Sequence, residues 1–174
     1  GKSTLASSFK GENVRFVTDD CLKFKLADGN LTGVSAYHGS RMWEDSIEAL
    51  YPDGVATSSV SHYSNKRRIL AKEQESVDKT VFNSVFFLVD PKAVQRDKVV
   101  IEPLQGSAVI MELIRRSFLL DVKNVPSVAG QFEVIKDLMA VKPLFYSLQY
   151  PRDYADLQQV RQAIGAVIVL GETG

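Results

Sequence analysis

The chain has a single cysteine, Cys21, in 174 residues. One thiol excludes an intrachain disulfide framework and a cysteine-built zinc cage. Neither charge sign is in excess, since 21 Lys and Arg balance 21 Asp and Glu. A generic nucleic-acid binder carries a basic surplus, so no nucleic-acid partner is expected, although a zero sum is compatible with a local basic patch. Long hydrophobic runs are also missing: no uninterrupted apolar run exceeds five residues, as at 166–170. That is too short to span a bilayer, and no membrane partner is expected. The first residues lack a basic region followed by an apolar stretch, so no signal peptide is read and the expected compartment is the cytoplasm. What is present is ordinary globular material, 45% hydrophobic and 24% charged. The length suits one domain with a real core, so a single domain over residues 1–174 is expected.

Periodicity and turn residues predict the elements. Residues 3–10 read as a short helix, and 14–18 as a strand ending at Asp19 and Asp20. Residues 21–26 and 31–37 flank Ala27-Asp28-Gly29-Asn30, a hairpin signal because Asp-Gly tolerates positive φ. Residues 42–50 read as a helix stopped by Pro52, and 53–66, rich in Ser, Thr, Gly and Asn, as loop. Strands are predicted at 83–89, 99–104 and 144–150, and helices at 107–118, 128–141 and 157–164. The mixture of hairpins and helices predicts an α/β fold with a mixed β-sheet flanked by helices.

The two ends carry the sharpest pattern. Gly1-Lys2-Ser3-Thr4 looks like the second half of a phosphate-binding P-loop, G-x-x-x-x-G-K-[ST], and the helix it opens. Residues 166–170 read as a buried strand, followed by Gly171-Glu172-Thr173-Gly174. Placed in series with one intervening residue, the ends complete the motif with its spacing. Residues 165–174 then read as the strand and first half of the loop that precedes Gly1. A circular permutation, a tandem array of such loops, or a residue order that departs from the natural one each account for this. A last strand with a Gly-rich end is the plainer alternative. In such a loop, backbone N–H groups form an anion nest, Lys2 reaches the β- and γ-phosphates, and Ser3 Oγ binds Mg²⁺.

Asp19 and Asp20 end their expected strand, where ligands bind in open α/β sheets. One carboxylate can hold a metal, and its neighbour can accept a proton from an attacking hydroxyl. Lys66, Arg67 and Arg68 follow a polar loop and either clamp phosphates or form a solvated charge run. Arg41 either contacts nucleotide or packs its stem on the indole of Trp43.

Taken together, several segments carry a family resemblance. They are Gly1-Lys2-Ser3-Thr4-Leu5-Ala6, Phe16-Val17-Thr18-Asp19-Asp20, the stretch 36–46 with Arg41 and Trp43, Asn65-Lys66-Arg67-Arg68, Ile101-Glu102-Pro103-Leu104 and Tyr150-Pro151-Arg152-Asp153. Through them the chain resembles the C-terminal catalytic domain of HPr kinase/phosphorylase. The likeness is closer to the small HPr-kinase-like relatives, which share the P-loop phosphoenolpyruvate-carboxykinase fold. Some of those relatives phosphorylate a serine of ribosomal peptides, lasso peptides among them. The resemblance implies an ATP- and Mg²⁺-dependent kinase acting on a serine hydroxyl of a protein or peptide. Gly1, Lys2, Ser3, Thr4, Lys66, Arg68, Gly171 and Gly174 then bind the nucleotide, and Ser3 with Asp20 the Mg²⁺. Asp19 serves as base, with Lys2 and Arg67 acting on the transferring phosphoryl group. A nucleotide-binding regulatory or peptide-binding module without catalysis, and a small-molecule kinase, remain open alternatives, as does assembly into a homo-oligomer.

Overall fold

The computed structural model describes residues 1–9, 14, 16–19, 22–27, 30–35, 40–69, 80–90, 98–117, 123–141 and 144–171. Among them the fold is mixed α/β, with five helices and three three-stranded sheets. The chain divides into two compact units, each assembled from three segments. The first comprises Gly1–Lys23, Val34–Asp78 and Arg152–Gln162; the second comprises Phe24–Gly33, Lys79–Pro151 and Ala163–Gly174.

In the first unit, helix α1 (Lys2–Ser8) packs on strand β3 (Ser40–Trp43) and helix α2 (Glu44–Leu50). Glu44 and Asp45 in the first turn of α2 suit the positive end of its dipole, and Asp45 Oδ1 accepts the Ser46 N–H at 2.8 Å. The helix ends at Leu50, just before Pro52 removes a donor. Strands β4 (Thr57–Ser61) and β5 (Ser64–Ile69) form an antiparallel hairpin, and the sheet order is β3-β5-β4. All of β4 and the first residues of β5 fall in the stretch 53–66 that composition assigned to loop. Its strands are polar, so alternating hydrophobicity is absent. Thr57, Val60 and Ile69 still suit a pleated surface, and only one face needs to be buried. Among the described residues, Leu5, Met42, Ile69, Leu157 and Val160 are the buried apolar side chains of this unit.

The second unit contains most of the sheet of β1 (Leu22–Ala27), β2 (Asn30–Ser35) and β6 (Thr80–Val81), in the order β1-β2-β6. β1 and β2 are the expected hairpin arms; the Asp28-Gly29 turn lies outside the described residues. Strands β7 (Ser84–Leu88), β8 (Val100–Pro103) and β9 (Leu144–Gln149) form a mixed sheet of order β7-β9-β8. β7 runs parallel to β9 and β8 antiparallel to it. Pro103 is tolerated because β8 is an edge strand. Helix α3 (Ser107–Arg116) starts after Gly106, whose φ of 56° favours glycine, and closes on Arg115 and Arg116 at its negative end. Helix α4 (Val125–Val141) is capped by Asn124, whose Oδ1 accepts the Ser127 N–H at 3.1 Å. Phe87, Val109 and Phe145 form the core cluster, with Val85, Leu104, Leu113 and Met139 packed on it.

Two expected strands are corrected. Residues 14 and 16–19 form no strand. The run offers little to a central position in a sheet, since Val14 is half exposed. Helix α5 covers Leu157–Gly171, so residues 166–170 are helical rather than extended. Burial at Leu157, Val160 and Ile164 follows helical spacing; Ile168 continues that stripe at 36% exposure, and Val169 beside it is 63% exposed. A short β-branched run reads equally as strand or helix by composition, and here the continuous helical backbone decides.

Candidate functional site

The expected site residues that are described fall almost entirely within the first unit: Gly1, Lys2, Ser3, Thr4, Asp19, Lys66, Arg67 and Arg68. Asp20 and Gly174 lie outside the described residues. Gly171 is the last residue of α5, in the second unit. A helix C-terminus presents carbonyl oxygens, the wrong polarity for an anion nest. The helical backbone through Gly171 therefore gives that glycine no phosphate-cradling geometry.

Positive charge gathers at Gly1. Burial holds its α-amine below the ordinary value, and the charges of Arg152, Lys2 and Lys66 push it the same way. Arg152 was noted only within a resembling segment and carried no expected role. Its position far along the chain hid it, and only the tertiary fold brings it here. Asp19 is partly buried, and its Oδ2 accepts the Arg41 backbone N–H at 2.9 Å. This bond fixes the carboxylate against the first residues of β3.

Sheet register separates the three basic residues of β5. Lys66 pairs with Trp43, Arg68 with Arg41, and Arg67 with Met42. Side chains alternate along a strand, so Lys66, Arg68, Arg41 and Trp43 share one face. Lys66 Nζ sits 5.1 Å from the Trp43 ring centroid, which puts a cation over this indole. Arg67 belongs to the opposite face. Its Nε donates to Thr57 Oγ1 at 3.2 Å, and its guanidinium lies 3.7 Å from Glu44. There it borders a cleft of about 510 Å³ with Ile47, Glu48, Tyr51 and Val55. Arg67 is thus not brought together with Lys66.

A chain of hydroxyls supports α1. Tyr154 Oη donates to Asp45 Oδ2 at 3.0 Å and lies 3.0 Å from Ser46 Oγ. Ser46 Oγ is in turn 3.2 Å from Thr4 Oγ1. A phenol has one proton, so with Asp45 accepting it, Ser46 must donate to Tyr154 and Thr4 to Ser46. The carboxylate thereby sets the direction of the whole chain and ties Thr4 to α2. Ser7 Oγ, 3.2 Å from Ser40 Oγ, ties the same helix to β3.

Among the described residues no group of three His, Cys, Asp or Glu could hold a metal ion, and no helix is long and apolar enough to cross a membrane. No family model, no curated protein and no solved structure matches this chain.

Proposed function

We propose that the chain is an ATP- and Mg²⁺-dependent kinase that phosphorylates a serine hydroxyl on a protein or peptide. The Gly1-Lys2-Ser3-Thr4 motif opening α1, in the same unit as Asp19 held on the Arg41 N–H, carries this reading, and the charges of Lys2, Lys66 and Arg152 all act at Gly1. Cations beside a phosphate-loop motif suit a triphosphate, whose transfer chemistry relies on positioning and charge stabilisation. Mg²⁺ takes one or two protein oxygens and completes its shell with phosphate and water, so the Ser3 hydroxyl and one carboxylate, Asp20 in this reading, are an adequate donor set. Bound there, the ion supplies charge neutralisation at the phosphates. Lys2 and Lys66 hold the phosphate oxygens. Asp19, with one oxygen on the Arg41 N–H, offers the other to the acceptor hydroxyl.

Calorimetry with ATP and Mg²⁺, paired with mass shifts on serine-containing peptides, tests this reading. Asp19→Asn is expected to slow transfer about 10²–10⁴-fold while ATP binding persists. Equal loss of both removes Asp19 as the base. A nucleotide-binding regulatory module is favoured by one observation: α5 stays helical through Gly171, so that glycine adds nothing to a phosphate loop. ATP binding with no transfer to any peptide would select this second reading.

A further inference from the structure

We infer that the exposed face of the Trp43 ring is the platform on which the base of a bound nucleotide stacks. The inference rests on the phosphate reading above and names the part of the ligand that reading leaves open. Trp43 is 51% exposed, far more than a ring of its size needs when it serves only to fill a core. Its backbone is held firmly, because it ends β3 and is the N-cap of α2, and the preceding Met42 is only 2% exposed. The ring is therefore carried on a fixed backbone, which limits the freedom lost on binding.

Lys66 defines the rest of the ligand. As the cross-strand partner of Trp43 it holds its ammonium 5.1 Å from the ring centroid. An ammonium has three donors, and the indole face engages it without exhausting them. The charge of Lys66 also reaches the Gly1 amine, as do those of Lys2 and Arg152. A ligand complementary to this arrangement has a flat π-system at one end and multiple negative charges at the other, which describes a nucleoside triphosphate. Single-stranded nucleic acid shares that chemistry, but a chain with balanced charge is poorly suited to a long polyanion.

Trp43 is the only tryptophan, so emission of the unmodified chain reads the platform directly. The chain is titrated with ATP and Mg²⁺ and, separately, with inorganic tripolyphosphate and Mg²⁺, following emission and heat. ATP is expected to change the emission and to bind about tenfold more tightly than tripolyphosphate. Trp43→Leu is expected to abolish that difference between the two ligands, and Trp43→Phe to retain most of it. Equal affinities with unaltered emission overturn the stacking inference while leaving the phosphate reading standing. No binding of either ligand overturns both. An emission change with a single-stranded oligonucleotide but not with ATP overturns it in favour of a nucleic-acid surface.

Discussion

Tyr154 bonds to two residues more than a hundred positions away in the chain, Asp45 and Ser46. Burial raises its phenol above the ordinary value; the bond to Ser46 opposes this, and the bond and charge of Asp45 add to it. Below a pH of about 10 the phenol is protonated in both folded and unfolded chains, and its contribution to stability is complete. Above that pH the unfolded chain ionises first, and the contribution is lost as pH rises through the folded value. The urea midpoint of the native chain is therefore expected to fall more steeply above pH 10 than that of Tyr154→Phe. Identical slopes would remove Tyr154 from the alkaline transition. At this scale the sequence was informative where residues are neighbours: Lys2, Ser3 and Thr4 stood out through their motif. Arg152, Tyr154 and Ser46 join the same region through packing across long separations, which spacing does not encode. The exposed Lys136–Glu133 pair, 2.7 Å apart, lies on the surface, where screening leaves such pairs small effects.

Helix α5 sharpens the question of the chain's last residues. Gly165 lies inside it, and a Cβ built there meets nothing within 4 Å. Glycine in a helix interior costs about 1 kcal/mol relative to alanine. Gly165→Ala is accordingly expected to raise unfolding free energy by about 1 kcal/mol in urea denaturation. An unchanged midpoint would argue for non-helical backbone around residue 165. The apolar strands β7, β8 and β9 were legible because β-branched and aromatic residues cluster between Pro and Asp stops. The β4–β5 hairpin was not, because its stability comes from pairing with β3 rather than from its own Ser-rich composition. The helix expected at 128–141 begins earlier, at Val125, because Asn124 supplies the cap; its buried positions Ile135 and Leu138 lie three apart, on one helical face.

For the molecule as a whole, the interleaving of segments matters more than its balanced charge. Each unit draws on three separated stretches, so neither is contained in one contiguous piece of chain. When the second unit folds, it confines most of the chain between the middle and last segments of the first. Closing a loop of that length otherwise costs the first unit about 4 kcal/mol of chain entropy. The units should therefore unfold together. On heating, Trp43 emission, which reports on the first unit, and far-UV ellipticity, which reports on both, are expected to share one midpoint. Two separated midpoints would show the units to be independent.

The strand order β7-β9-β8 also has a consequence during synthesis. β7 and β8 do not pair with each other; each pairs with β9, which is translated after both. While the ribosome is still making α3 and α4, the segment Ser84–Leu88, with its two phenylalanines, has no β9 to dock against. Such an apolar stretch is a natural place for a nascent-chain chaperone to bind.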